Sequence, residues 1–230
     1  MRIAVYSLCR ERLAFTKTCF ASLREKAGVP FDHFCLDQGS RDGTADWLRN
    51  EYQPHHLTVF PENIGISRGS NLMLEQILRG NYDLICKFDN DCLVVSENLL
   101  GQMAEIFSDV GQLAPRYVLS PRVEGINNQP HRARFTMLAG RRVGLTAIVG
   151  GLFHCVPRGI YEQYRYPEDL PPGQFQDDFF CKWVRRHGGE VGYVEGLVVE
   201  HYRGTDQQAK DFPEYFERKW SEMEKREVPV

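Results

Sequence analysis

The stretch at residues 84–91 constrains the fold more than any other part of the sequence. Its first residues are apolar and suit a buried strand, and Asp89 and Asp91 then follow on either side of Asn90. In an open α/β sheet, ligands bind at the carboxyl ends of the strands. Paired carboxylates also provide the oxygen ligands that Mg²⁺ and Mn²⁺ prefer. The simpler interpretation is a turn, because Asp and Asn favour turns, and this stretch alone does not exclude it.

Three strand–helix units precede this stretch. Residues 3–8, 31–36 and 57–60 have the composition of short strands, and a helical segment is predicted after each of them. Strands that alternate with helices in this way predict a parallel sheet with right-handed crossovers.

The second half of the chain predicts more varied elements. Ser96 is a candidate N-cap for a helix that buries Leu99, Met103 and Phe107. Further elements are strands at residues 113–119, 149–153, 191–194 and 197–201, loops or a small hairpin at 125–144, a helix at 176–187, and a C-terminal helix carrying Phe212 and Phe216. The whole sequence therefore predicts an α/β fold, with a Rossmann-like, mostly parallel sheet flanked by helices and a small antiparallel part.

Composition excludes several classes of protein. A net charge of -3 argues against non-specific nucleic-acid binding, and no apolar run approaches the roughly 20 residues that span a bilayer. The N-terminus has the pattern of a first strand and not of a signal peptide. The seven cysteines contain no Cys-x-x-Cys pair, which favours reduced thiols in a cytoplasmic protein over disulfides or a zinc site.

Several short segments resemble, in their order along the chain, the motifs of the family 2 glycosyltransferases, which have the GT-A fold. The segments are Ser7-Leu8-Cys9-Arg10, residues 37–44, Asn63-Ile64-Gly65 through Asn71, Asp89-Asn90-Asp91, Gly150-Gly151, Gln176-Asp177 and His201. Each is weak alone, and their shared order makes the resemblance specific. It implies one GT-A domain over residues 1–230, with a nucleotide-binding half (1–91), an acceptor and catalytic half (92–204) and a C-terminal helical tail (205–230).

The resemblance also implies which residues act. Asp177 is the expected catalytic base, with Asp178 as the alternative, and Asp89, Asp91 and His201 are the expected ligands of Mn²⁺ or Mg²⁺. Asp89 is expected to meet the ribose or to reach the metal through water. The expected nucleotide-sugar-binding residues are Ser7, Arg10, Asp37, Asn63, Gly65, Arg68, Asp89, Asn90 and Gly151. Asp37 corresponds to the carboxylate that accepts the N3–H of uracil.

The residue chemistry agrees with this reading. Glycosyl transfer from a nucleotide sugar needs a base for the acceptor hydroxyl, which a carboxylate can supply. It also needs an electrophile for the leaving diphosphate, which a divalent cation can supply. We therefore expect a metal-dependent, inverting glycosyltransferase that moves a sugar from a UDP-linked donor to a hydroxyl of a glycan, a lipid-linked acceptor or another molecule.

Two departures from the family pattern keep a rival interpretation open. Gln176 stands where the family has Glu, and Phe179 where it has an acidic residue, and both changes argue mildly for a non-catalytic nucleotide- or sugar-binding subunit. The presence of the four residues Asp89, Asp91, Asp177 and His201 argues against it. A nucleotidyltransferase is less favoured, because the segment after the first strand is not Gly-rich. Single sites have simpler alternatives too: a turn residue at Asp37, a helix-start acid at Asp177 and a surface histidine at His201.

Overall fold

The computed structural model describes residues 1–109, 116–126, 132–169 and 176–226. Its strands are β1 (Ile3–Cys9), β2 (Asp32–Gln38), β3 (His56–Phe60), β4 (Leu84–Phe88), β5 (Cys92–Val94), β6 (Tyr117–Glu124), β7 (Arg132–Leu138), β8 (Arg141–Thr146), β9 (Phe153–Pro157) and β10 (Glu190–His201). Its helices are α1 (Leu13–Lys26), α2 (Thr44–Trp47) with a π-helical turn (Leu48–Tyr52), α3 (Ile66–Leu78), α4 (Leu99–Asp109), α5 (Arg158–Tyr161), α6 (Gln176–Arg186), α7 (Gly204–Asp211) and α8 (Pro213–Arg226).

One sheet carries all of these strands, in the order β3-β2-β1-β4-β9-β6-β10-β8-β7, and β5 pairs with β10. Strands β3, β2, β1, β4, β6 and β10 run in one direction, whereas β9 runs against its neighbours β4 and β6. The hairpin of β7 and β8 is antiparallel and pairs with β10 through β8. The prediction of a mostly parallel sheet with a small antiparallel part is confirmed.

Register places the ends of the central strands at one edge of the sheet. In the parallel pairs of β1 with β2 and β4, Cys9 lies opposite Asp37 and Tyr6 lies opposite Lys87. Every residue of β4 is buried, including Lys87, because layers of the fold cover both faces of a central parallel strand. The polar residues that follow β1, β2 and β4 consequently share one edge, as expected for a ligand site.

The structure corrects two strand predictions. The segment at residues 149–152 is not part of a strand, because β9 begins only at Phe153, opposite Phe88 at the end of β4. Gly150 and Gly151 instead form the turn that enters β9. The two strands predicted at 191–194 and 197–201 are one strand, β10, whose register shifts between Val194 and Val198.

The structure also differs from the prediction of Ser96 as a helix cap and from the prediction of a single C-terminal helix. Ser96 is not a helix cap, since its hydroxyl accepts the N–H of Val198 over 2.8 Å and so fastens the end of β10. The C-terminal segment forms two helices instead of one, because Pro213 disfavours helical backbone at Phe212, whose φ is -132°. The strand predicted at 113–119 begins at Tyr117, and residues 113–115 lie outside the described part.

All seven cysteines are buried thiols, as the absence of Cys-x-x-Cys pairs predicted. Within the described ranges, none of the helices has the length and apolar character needed to cross a bilayer.

Candidate active site

The edge where β4 ends brings together predicted site residues from distant parts of the chain. The backbone N–H of Asp89 donates to the carbonyl of Leu152 over 2.9 Å, which joins the end of β4 to the turn before β9. On the other side, β5 pairs with the end of β10 so that Cys92 lies opposite His201. His201 is thereby placed beside Asp91, 110 positions earlier in the sequence.

Asp89 forms an ion pair with Lys87, two residues before it on β4. The Lys87 ammonium donates to Asp89 Oδ1 over 2.7 Å and to the carbonyl of Gly151 over 2.5 Å. Burial raises the pKa of Asp89 to about 6, with Lys87 opposing this rise and Asp91 adding to it. The Asp89 side chain remains one-third exposed.

Asp177 lies in the first turn of α6 with its carboxylate against the turn that enters β9. A Cβ atom added to Gly151 would lie 2.7 and 2.9 Å from the two Asp177 oxygens, so the contact requires glycine at this position. Oδ1 of Asp177 is buried without a hydrogen-bond partner. Burial raises the pKa of Asp177, while Lys87 and the Gly151 N–H act in the opposite direction. Such a carboxylate is suited to accept a proton.

Asp178, the alternative base, is exposed at the same helix start. Phe179 is also 42% exposed, so the residues after Asp177 present one carboxylate and one aromatic ring to solvent. Gln176 and Asp177 are both half-buried. The structure thus distinguishes the two carboxylates by burial, and the less exposed one, Asp177, has the environment expected of a base.

Asp91 is held between an arginine and a histidine side chain. Arg12 Nη1 lies 2.8 Å from Asp91 Oδ2, and His201 Nε2 lies 3.3 Å from the same oxygen. Burial alone would raise the pKa of Asp91, but these two partners outweigh it and hold the pKa well below the ordinary range. Burial likewise opposes the charged form of His201, yet Asp91 raises the pKa of the imidazole.

Arg12 was not identified from the sequence, although it is 8% exposed at the centre of the site. Its guanidinium donates to Asn90 Oδ1 over 3.0 Å and to Gln208 Oε1 on α7 over 2.7 Å. It also lies 4.7 Å from the ring centroid of Tyr215 on α8. Helices α7 and α8 therefore hold the guanidinium against Asp91, a contact that no local sequence pattern reveals.

Asp91 and His201 fit part of a divalent-metal site. Their facing atoms are close enough for one ion to bind both, and Mn²⁺ accepts carboxylate oxygen and imidazole nitrogen. One oxygen of Asp89 pairs with Lys87, and the expected role of Asp89 as a further ligand, direct or through water, stays a prediction. The described residues contain no group of three or more metal-ligating side chains. Magnesium-type sites often use one or two protein ligands together with phosphate and water, so two suffice.

Asp37, at the end of β2, has the features of a nucleobase acceptor. Its Oδ1 accepts the N–H of Ser40 over 3.0 Å, which is the turn contact that the simpler interpretation predicted. Its Oδ2 is buried without a partner, and burial raises the pKa of the carboxyl group against the effect of the Ser40 bonds. The turn and the nucleobase roles are therefore compatible, since they use different oxygens.

The remaining predicted donor-binding residues lie in two places, at the entry to α3 and directly after β1. The side-chain Oδ1 of Asn63 accepts the backbone N–H of Gly65 over 3.0 Å and shapes the loop that enters α3, where Arg68 is exposed. Arg10 is partly exposed at the end of β1. These residues border the edge at which β1 and β2 end.

The side chains of Ser7 and Asn90, two of the predicted donor-binding residues, make internal contacts. The Ser7 hydroxyl is fully buried, donates to the Phe88 carbonyl over 2.5 Å and lies 2.9 Å from His33 Nε2. Asn90 is 3% exposed; its side-chain nitrogen donates to Thr16 Oγ1 over 2.9 Å. Both side chains contribute to contacts that hold the strand ends together.

This fold and this site edge define the class of protein, an α/β protein with the GT-A fold. S. aureus TarS, residues 1–349 in complex with UDP-GlcNAc, superposes with a TM-score of 0.66 at 13% identity, over 87% of this chain and 58% of that 1–349 chain. The mannosyltransferase PcManGT of Pyrobaculum calidifontis, in complex with GDP-Man and Mn²⁺, gives 0.60 at 14% identity, over 86% and 56%. GalNAc-T7 with UDP, GalNAc and Mn²⁺ gives 0.68 at 10% identity, over 88% and 44%.

The sequence comparison gives the family. The model of glycosyltransferase-like family 2 matches residues 17–225, and the chain belongs to that family. A comparison with curated protein sequences gives no significant match. The chain spans less than two thirds of each of the three solved structures above, and at these identities their likeness concerns the fold.

Proposed function

We propose that this protein is an inverting glycosyltransferase that moves a sugar from a nucleotide-diphosphate donor, with UDP as the expected nucleotide, to an acceptor hydroxyl. The observation that carries the proposal is the Asp177 carboxylate, with one buried and unpartnered oxygen, at the edge where β4 ends in Asp89. Family membership and the nucleotide complexes of the solved neighbours support it.

In this mechanism Asp177 takes the proton from the acceptor hydroxyl. The hydroxyl oxygen forms a bond to the anomeric carbon while the bond from that carbon to the diphosphate oxygen breaks on the opposite face. The electron pair leaves with the nucleoside diphosphate, and one displacement of this kind inverts the anomeric configuration. The buried position of Asp177 favours the neutral form of the carboxyl group, which increases its tendency to take the proton.

Donor binding is assigned to the other residues of the edge. The free oxygen of Asp37 accepts the N3–H of uracil, and the open side of Asp89 faces the ribose. Arg10, Arg68 and the loop of Asn63 and Gly65 border the same space. Each residue follows a strand or opens a helix whose position the sheet fixes, so the donor would meet a preformed surface.

Asp91 and His201 would hold a divalent cation, Mn²⁺ or Mg²⁺. When bound, the cation supplies positive charge to the leaving diphosphate. Two of the solved neighbours contain Mn²⁺, which supports this assignment. The chain's own contribution is to place the two ligands side by side, because the pairing of β5 with β10 sets His201 next to Asp91.

A ligand screen with a turnover assay tests the proposal. Thermal stabilisation by UDP, GDP and dTDP, each with Mn²⁺ or EDTA, should rank UDP with Mn²⁺ first. Nucleotide release from the matching sugar nucleotide, with hydroxyl acceptors, should then be measurable. Nucleotide binding without turnover of any donor would contradict the enzymatic function and favour a non-catalytic binding subunit. The absence of stabilisation by every nucleotide would contradict both interpretations.

A further inference from the structure

Lys87 is a buried cation in a strand that is otherwise apolar. It lies in the middle of the sheet, between β1 and β9, and is 3% exposed. A buried ammonium costs several kcal/mol unless it is paired and hydrogen-bonded, so its partners explain why it is tolerated. The partners are groups of the candidate active site and not of the surrounding core.

The Lys87 ammonium contacts both sides of the site at once. It donates to Asp89 Oδ1 over 2.7 Å and to the Gly151 carbonyl over 2.5 Å. A Cβ atom on Gly151 would lie 2.8 Å from the ammonium and 2.7 Å from Asp177 Oδ2. The ammonium and the Asp177 carboxylate are therefore neighbours across the space that glycine leaves open.

We propose that Lys87 is a positioning residue for the transfer reaction: it fixes Asp89 and the Gly151 turn, and it is the counter-ion that keeps Asp177 ionised. This inference rests on the proposed function, because Asp177 has to be ionised before it can accept a proton. Lys87 acts through these two carboxylates and does not itself meet the substrate.

The other groups around Asp177 make this charge necessary. Among the residues that the structure describes, several acids and weakly acidic phenols or thiols interact with it electrostatically, and these add no positive charge: Asp89, Tyr161, Tyr164, Tyr166, Asp178 and Cys181. Burial raises the pKa of Asp177, and Lys87 is the first group to oppose that rise. Without the ammonium, the carboxyl group would be protonated at a higher pH and lost as a base.

The first test compares turnover of Lys87→Met, Lys87→Arg and the wild type across pH. A nearby opposite charge shifts a carboxyl pKa by about one to three units. We therefore expect Lys87→Met to move the acidic limb of kcat to higher pH by about that amount and to lower kcat near neutral pH by at least about tenfold. Lys87→Arg retains the charge and should recover part of the loss. Lys182→Met, which removes an exposed lysine from α6, should match the wild type.

An unchanged acidic limb in Lys87→Met, with kcat near the wild-type value, would overturn the inference. A second measurement does not depend on turnover and so separates this inference from the proposed function. The urea midpoint lost by Lys87→Met should be partly regained in Lys87→Met/Asp177→Asn, because the second change removes the unpaired buried charge. Additive losses in the double variant would show that the two side chains are not coupled and would also overturn it.

Discussion

At the scale of a single residue, Gly151 has a role that follows from the volume of one methyl group. The position has contacts on both sides, since an added Cβ would come within 3.0 Å of the Asp177 carboxylate and of the Lys87 ammonium. Gly150, its neighbour, has no atom within 4 Å of such a Cβ. The two adjacent glycines therefore have different requirements, which the sequence motif Gly-Gly does not reveal.

We predict that Gly151→Ala displaces Asp177 or Lys87 and lowers turnover, whereas Gly150→Ala does not. A displacement near 1 Å in a catalytic group can cost on the order of 10²-fold in rate. The overpacking itself should cost about 1–3 kcal/mol of unfolding free energy. Urea unfolding and steady-state kinetics of both variants check this. Equal behaviour of the two variants would show that the turn moves freely.

At the scale of elements, the loop from β1 to α1 and helices α7 and α8 together control Asp91. Arg12 lies in that loop with a left-handed backbone (φ 60°). Its guanidinium donates a hydrogen bond to Gln208 and lies over the ring of Tyr215. Its guanidinium binds the same Asp91 oxygen that faces His201. A cation bound by Asp91 and His201 therefore competes with Arg12 for that oxygen.

We predict that Arg12→Met is less stable than the wild type in EDTA and gains more stability from Mn²⁺. Removing one partner of a buried ion pair typically costs about 3–5 kcal/mol, because the other charge is left unpaired. A cation that binds the native state restores stability by mass action. Thermal melts in EDTA and Mn²⁺, with free Mn²⁺ followed by EPR, measure both effects. Arg49→Met, at an exposed arginine, is the control.

The same stabilisation by Mn²⁺ in Arg12→Met and in the wild type would show that the guanidinium and the ion do not share Asp91. If Mn²⁺ stabilised neither Arg12→Met nor the wild type, Asp91 and His201 would not be metal ligands.

The secondary-structure elements that the sequence predicts correctly are those that a local residue pattern determines. The strands β1, β2, β3 and β4 and the helices between them follow from apolar spacing and turn residues. The sequence predicts a strand at Gly150 and Gly151, where the structure has a turn. A short apolar run with two glycines has the same local pattern in a strand and in a turn. Whether the run becomes a strand or a turn depends on where its pairing with β4 begins, and this pairing is a tertiary contact.

At the scale of the whole molecule, motif order predicted the family and the GT-A fold, and it grouped Asp91 with His201, two side chains that the fold brings together. It did not predict the contact between Asp177 and Gly151. It could not predict Arg12 or Lys87, because their importance comes from partners far along the chain. Arg12 meets Gln208 across 196 positions, and Lys87 meets Gly151 across 64. For the same reason Ser7 and Asn90 matched the motif but proved to be engaged in internal contacts.

The most direct test of the account is the turnover of Asp177→Asn with its donor affinity measured in parallel. The amide keeps the shape of the side chain but cannot take the proton, so donor affinity should stay near the wild-type value. General-base catalysis contributes about 10²–10⁴-fold, and kcat should fall on that scale, while Asp178→Asn stays active. Because burial raises the pKa of Asp177, wild-type activity should fall with acid at a pH above that of an ordinary Asp. Wild-type turnover in Asp177→Asn would contradict the account.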